Sequence, residues 1–431
     1  MISQPRVTSL PSGLTRRLAV LALTEGALAG LIKTPFPNAL LAKPIAFSMV
    51  PAQDPNTKMN GLNQLGWDLF RKLTDDNLFF SPTSIGLALA MAEMGARGDT
   101  GAQMRKILHS DPLKDQGGQD WKTVIDLLGA EKPGRQVRIA SRLFGQQDYG
   151  FLPEYTSLLK QLFNAPLEEV DFRGNSESAR IHINKFILEQ TRNRIKDLVP
   201  SGALTEDTRL VLVNAIHFKG DWLVPFAKNA TLPAPFETTK GNSMFVPRMN
   251  CRGKFVIRET PYAECLEFPC KGYDRSVYFL LPKRRHGLAM VEKLTGSRDW
   301  NSLLFSSHDP EMVHFHLPRF KLESTLDISK VLQILGMTLA FDKDADFSGM
   351  NGGKKPLKID KILHKAVLEI DETGAVAVAA TTLEVRKFLP SPPKPREPRT
   401  FLVDQPFLVV ITDKSTKGVL FLGRVVKPQS Y

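Results

Sequence analysis

A chain of 431 residues with 42% hydrophobic and 24% charged residues is globular and long enough to bury a sizeable core, which excludes a fibrous or largely disordered protein. The formal charge of +12 invites a nucleic-acid partner, but much of the excess sits in two segments. Residues 1–50 hold Arg6, Arg16, Arg17, Lys33 and Lys43 against Glu25, and residues 383–400 hold five basic against two acidic side chains, so no specific nucleic-acid site is expected.

In chain order, Thr15-Arg16-Arg17 precedes an apolar run from Leu18 to Ile32, interrupted by Glu25 and carrying the small residues Ala27-Leu28-Ala29. This reads as an export signal of imperfect form and predicts an extracellular or periplasmic protein, with residues 1–50 a leader and 51–431 a single domain. No other stretch approaches the ~20 apolar residues of a membrane span. "NLFFSPTSIGLALAMAEMGARG" predicts a helix apolar nearly all round, opened by Pro82 and closed by a glycine near Gly95. Thr100 to Gln103 then reads as a capping box for the next helix. "RLVLVNAIHFKGDW" is apolar on both alternate faces, which predicts a strand covered on both sides. Further strands are expected at 276–282 and 312–320, and a terminal hairpin is expected from "FLVVIT" and "VLFLGRVV" around Asp413 to Gly418. Helices dominate the first half and strands the second, so the fold class is α+β rather than a run of βαβ units.

Catalytic constellations are sparse. The sequence has no Gly-x-Ser-x-Gly elbow, no His-Glu-x-x-His helix and no phosphate-cradling Gly-x-x-x-x-Gly-Lys loop. His314 and His316 flank Phe315 on a strand and could share a metal, but no third ligand lies near them, so ordinary packed histidines are favoured. Cys251, Cys265 and Cys270 are an odd number at no metal-like spacing and read as free thiols. "PKRRHG" at 282–287 is a basic loop, more simply a solvated turn than an anion site. Neither metal nor cofactor is expected.

One stretch does not read as ordinary structure. From Gly374 onward the alternate positions Ala375, Ala377, Ala379 and Thr381 are small and uncharged, and the other face holds Val376, Val378, Thr382, Glu384 and Arg386. A small face suits a strand that must slide into an existing packed gap, where bulk or charge would clash or be desolvated. Pro390 marks where ladder pairing must stop, and five prolines within 390–398 keep the chain extended beyond it.

The body resembles the serpin family of serine protease inhibitors. "NLFFSPTSIGLALAMAEMGARGDTGAQM", "DTRLVLVNAIHFKGDW", "LPRFKLESTLDISKVLQILGM", "ADFSGM", "HKAVLEIDETG" and "QPFLVVITDKSTKGVLFLGRVVKP" occur in family order over about residues 56–428. The resemblance implies helices around a large mixed central sheet, further antiparallel sheets and an exposed bait loop at about 374–400. It implies suicide inhibition: the target serine protease attacks the loop, forms an acyl-enzyme and is carried off as the cut loop enters the sheet. Family spacing puts the scissile bond at Phe388-Leu389, which suits chymotrypsin-like or subtilisin-like targets, with Arg386 or Lys387 favouring trypsin-like enzymes if the register shifts. Papain-like cysteine proteases and a non-inhibitory, chaperone-like role are the alternatives.

Carried over by the same resemblance, Glu372, Gly374, Ala375, Ala377, Ala379 and Thr381 form the loop hinge. Arg319 pairs with Glu372, and Ser81, Ser84, Asn184 and His364 form the cluster that gates sheet opening. Asn214, Lys219 and Trp222 lie beside the insertion point. Thr373, Ala375, Val376 and Val378 depart from the residues commonest at their positions, without adding proline or charge to the small face. The protein is expected to be a monomer whose partner is the protease in a covalent acyl complex, with a polyanion at most a weak further ligand.

Overall fold

The computed structural model describes residues 56–110, 121–122, 124–125, 136–238, 241–373 and 397–429. Among them the strands are β1 (Leu78–Phe80), β2 (Gln136–Gln146), β3 (Glu168–Val170), β4 (Leu210–Lys219), β5 (Leu232–Glu237), β6 (Ser243–Glu259) and β7 (Ala263–Pro269). They continue with β8 (Arg275–Pro282), β9 (Glu311–Pro318), β10 (Phe320–Asp327), β11 (Lys361–Ile370), β12 (Arg399–Leu402), β13 (Phe407–Asp413) and β14 (Gly418–Val425). One sheet has five strands in the order β10-β11-β4-β2-β3; the other has nine, in the order β1-β14-β13-β8-β7-β6-β9-β12 with β5 on β6.

The helix Pro82–Glu93 is buried along nearly its whole length, as its unbroken apolar texture predicts. Ser81 caps it by accepting the Ser84 N–H, and proline takes the first turn, where no donor is needed. Its end differs from expectation. Met94 closes the helix in right-handed conformation, and Gly95 serves space instead: a Cβ there would lie 2.2 Å from Met350 Cγ. Nor is there a capping box at Thr100 to Gln103. The helix already begins at Gly98, without a side-chain cap. Thr100 Oγ1 instead accepts the Asp346 N–H at 3.0 Å, and Gln103 Oε1 accepts the N–H groups of Thr338 and Leu339 at 2.9 Å each, tying the helix to the 338–346 segment.

β4 is buried on both faces, as its double apolar pattern requires. The helix Pro82–Glu93 lies against one face, and the helix Phe172–Gln190 with the segment 195–204 covers the other through Phe172, Ile183, Ile187, Leu198 and Val199. The stretch 312–320, expected as one strand, is two strands in different sheets. Pro318 ends β9, Arg319 donates its backbone N–H to the Pro247 carbonyl at 2.7 Å, and the chain starts β10 at Phe320. Proline at the junction withholds the ladder donor that a continuous strand would need.

β13 and β14 form the expected terminal hairpin, its turn gathered on Asp413, whose Oδ1 accepts from Ser415 and Thr416 N–H groups at 3.0 and 3.1 Å. The interior of the nine-stranded sheet is aromatic. Phe268 sits with ring centroids 5.0 Å from Trp222, 5.3 Å from Phe226, 5.3 Å from Phe255 and 5.2 Å from Phe315. The three cysteines are free and buried, and burial pushes the thiols of Cys251 and Cys270 up to about 12. At the sheet's end, β12 lies parallel on β9 and is anchored by Arg399, which reaches Glu311 at 3.2 Å and also pairs with Glu259 and Glu264.

Candidate functional site

In the five-stranded sheet, β4 and β11 are parallel neighbours in continuous register from Lys361↔Val211 to Glu369↔Lys219. Their outer neighbours β2 and β10 both run antiparallel to them. The seam between β4 and β11 is therefore the place where one more strand, running opposite to both, would complete an antiparallel alternation. The chain that leaves β11 at Ile370 starts at the top of that seam.

Side chains tie the seam at two levels. Midway, the facing pair His364 and Asn214 meet, with His364 Nδ1 2.6 Å from Asn214 Oδ1. His364 Nε2 accepts the Ser81 N–H at 3.2 Å, so the proton sits on Nδ1 and the imidazole is neutral. Full burial explains this, pushing the ring down to about 3. The Asn214 amide donates to the Ser84 carbonyl at 3.0 Å and to Ser84 Oγ at 2.5 Å, and it also bonds Ser141 of β2. One amide thus joins β4 to β11, to β2 and to the capped start of the helix Pro82–Glu93.

Five residues along β4, roughly 17 Å at the strand rise, the top of the seam is closed differently. Lys219 Nζ lies 2.8 Å from Asp371 Oδ2, and the Trp222 indole N–H donates to the Asp371 carbonyl at 2.8 Å. Burial pushes the Asp371 carboxyl up, but the bonds from Lys219 and Thr373 outweigh it and hold it below the usual range. Next along, Glu372 is buried and shared: Thr231 Oγ1 donates at 2.7 Å and Arg319 Nη1 lies at 3.4 Å. A further pair crosses the seam on its other face, where the buried His217 of β4 has Nε2 3.3 Å from Glu369 Oε1 of β11.

The structure brings together Ser81, Ser84 and His364, but not Asn184. Its amide is turned to the Val199 backbone, accepting the N–H and donating to the carbonyl at 2.9 Å each, on the opposite face of the sheet. Asn214, expected with Lys219 and Trp222 beside the insertion point, lies in the cluster with Ser84 and His364. Arg319 and Glu372 meet. Gly374, Ala375, Ala377, Ala379, Thr381, Arg386, Lys387, Phe388 and Leu389 lie outside the described residues. Ser141, Asp371 and Thr231 were missed: β2 was not recognised as a strand, and nothing in "EID" distinguishes Asp371 from a solvated carboxylate. His314 and His316 stack with ring centroids 4.2 Å apart, and no group of three or more metal-ligating side chains occurs among the described residues.

The architecture is α+β, and comparison with known proteins fixes its kind. The family model described as serpin (serine protease inhibitor) matches residues 60–428. Bovine leukocyte elastase inhibitor is 39% identical over 375 residues, 84% of this chain and 97% of that protein. Human serpin B4 is 36% identical over 379 residues, covering 83% and 95%. Among solved structures, uncleaved ovalbumin superposes with a TM-score of 0.77 at 28% identity, covering 86% of this chain and all of that one. Native protease nexin-1 with heparin gives 0.76 at 26%, covering 87% and all. The chain belongs to the serpin family, and it is a protease inhibitor rather than an enzyme.

The expected extracellular or periplasmic location does not stand. Leukocyte elastase inhibitor and serpins B4 and B3 belong to a branch whose members usually remain inside cells, so the reading of residues 1–50 as an export signal finds no support among them. An apolar run after two arginines is a weak export signal when an acidic residue interrupts it, as Glu25 does here. No helix among the described residues is long and apolar enough to cross a membrane.

Proposed function

We propose that this protein traps serine proteases by inserting its cut bait loop between β4 and β11. The observation that carries the reading is the parallel seam itself, open to one antiparallel strand and joined at its top to the segment with the small face. Fourteen inserted residues would span roughly 45 Å, enough to carry an acylated protease along most of a domain. Burial of small side chains cannot drive this alone, because ordering the backbone costs ~1–2 kcal/mol per residue. New ladder bonds and the release of the uninserted sheet supply the rest.

Phe388 as the residue read by the protease suits the hydrophobic slot of a chymotrypsin-like enzyme, or a subtilisin-like one, better than the small pocket of an elastase. On this reading residues 51–431 act as one monomeric domain. The acyl complex with the protease is its working partner, and a sulfated polyanion, the class bound in the protease nexin-1 structure, is an accessory.

Incubation with chymotrypsin should give a covalent complex that survives denaturing electrophoresis, with cleavage after Phe388 read by mass spectrometry of the C-terminal fragment. Cleavage after Arg386 or Lys387 would move the target class to trypsin-like enzymes, and a complex formed only with papain would move it to cysteine proteases. Complete cleavage with no complex would overturn the trapping mechanism. Ala375→Arg places a charge on the small face and should convert inhibitor into substrate; unchanged stoichiometry would contradict insertion by that face.

A further inference from the structure

On the face of the five-stranded sheet covered by the helix Phe172–Gln190, the seam is apolar along Val211, Val213 and Ala215 of β4 and along Leu363 and Val367 of β11. His217 interrupts it. The residue is 2% exposed, yet neither ring nitrogen has a well-directed hydrogen-bond partner: Nε2 lies 3.3 Å from Glu369 Oε1 at an oblique approach. The contact stands apart from the bonds of Asn214 and His364, which lie on the opposite face. A buried polar group left half-satisfied costs stability, so the ring points to a second state in which it is better bonded.

Charged groups reach the ring from each neighbouring element. Glu369 of β11 lies 3.8 Å from Arg194, in the turn after the covering helix; Lys321 of β10 pairs with Glu323; and Arg138 of β2 stands opposite His217 in register. Further along the same face lie the pairs Lys219–Asp371 and Lys365–Glu323. Burial keeps the ring's affinity for a proton below the ordinary imidazole range, and of the charges Glu369 acts most strongly, favouring the proton against Arg194 and Lys321. At neutral pH the ring is therefore uncharged, and in acid it becomes a cation facing a carboxylate across the seam, where water screens little. A strand inserted between β4 and β11 would move them from ~4.8 to ~9.6 Å apart and take that carboxylate away. The closed seam thus binds the proton more tightly than the opened one, and by linkage the protonated ring favours the closed seam.

We propose that His217 and Glu369 form an acid-strengthened latch across the β4/β11 seam, slowing strand entry when the ring is protonated and releasing it when the ring is neutral. The latch rests on the insertion mechanism proposed above, and the experiment separates the two. Uptake of a synthetic peptide of residues 375–388, fluorescently labelled at its N-terminus, into the full-length protein is followed on native gels at pH 7.5 and pH 5.5. His364 stays neutral and Asp371 ionised over this range, so neither supplies a pH step, and any titration of the peptide itself is common to every protein compared.

Wild type should take up the peptide roughly five- to ten-fold more slowly at pH 5.5, the scale of one weakly screened ion pair. His217→Phe keeps a ring of similar size that cannot be charged, and Glu369→Gln keeps the histidine but removes the charge it faces. Both should match wild type at pH 7.5 and lose most of the slowing, with thermal melting of each confirming that it is folded. Equal wild-type rates at the two pH values would overturn the latch and leave insertion intact. Slowing that survives in His217→Phe would refute the histidine, and slowing that survives in Glu369→Gln would refute its partner. No uptake at either pH would remove insertion between these strands, and the latch with it.

Discussion

The two sheets hold their interiors by different means. In the nine-stranded sheet Phe268 is packed among the rings of Trp222, Phe226, Phe255 and Phe315, and the buried polar groups Arg258, Glu267 and Ser276 are bonded to one another within the sheet rather than across a parallel seam. At the β4/β11 seam, by contrast, the buried polar groups His364, Asn214 and His217 lie on two parallel strands and link them or their neighbours through side-chain contacts. Close-packed rings have one good arrangement and lose much when displaced. Hydrogen bonds are worth ~0.5–1.5 kcal/mol net and can be remade with a new strand's groups. On the proposed mechanism one sheet would stay closed, and the other would open between β4 and β11.

The contrast can be broken at several points. The largest effect should come from nicking the bait loop. If the seam accepts the cut segment, the melting temperature should rise by about 20 °C, corresponding to a gain on the order of 10 kcal/mol. A nicked protein that melts where the intact one does would mean the seam stays shut. Phe268→Ala in the other sheet should cost ~3–5 kcal/mol in a urea titration, because the surrounding rings of Trp222, Phe226, Phe255 and Phe315 cannot close the gap. Its effect should be the same before and after nicking, since that core takes no part in opening.

Asn214→Ala should cost ~2–3 kcal/mol in the intact protein, through the His364, Ser84 and Ser141 groups it leaves unpaired. Unlike Phe268→Ala, it should also speed spontaneous loss of inhibitory activity at 37 °C; matching rates would mean Asn214 does not hold the seam. The smallest effect concerns pH. His364 is pushed down to about 3 by burial, against ~6.5 in an unfolded chain. A group with a lowered folded-state value contributes fully above pH 6.5 and loses its contribution as pH falls toward 3, at up to ~1.4 kcal/mol per pH unit. The stability gap between wild type and His364→Gln should therefore shrink by about 2 kcal/mol between pH 7 and 5. A constant gap would show that the ring is not kept neutral by the fold.

Much of this was legible in the sequence. The double-faced apolar pattern of "RLVLVNAIHFKGDW" gave a strand covered on both sides, and the terminal hairpin declared itself by two apolar runs around a polar turn. Local patterns failed where tertiary partners took over. Thr100 and Gln103 have the spacing of a capping box, yet their acceptors serve a segment more than 200 residues away. Asn184 and Asn214 are both asparagines beside the sheet, and only the face each occupies decides which joins the cluster. The break at Arg319 carried a visible signal in Pro318, which was read as part of the strand.

The anchoring of β12 has a consequence for the cleaved molecule. Everything after the predicted cut leads into β12, held by Arg399 on three carboxylates, and then into β13 and β14 deep in the nine-stranded sheet. Cutting at Phe388 would therefore free only one end. The 43 residues from Leu389 to Tyr431 should stay lodged in the body as a non-covalent peptide. The cleaved protein should run as one particle by native size exclusion and as two chains only once denatured.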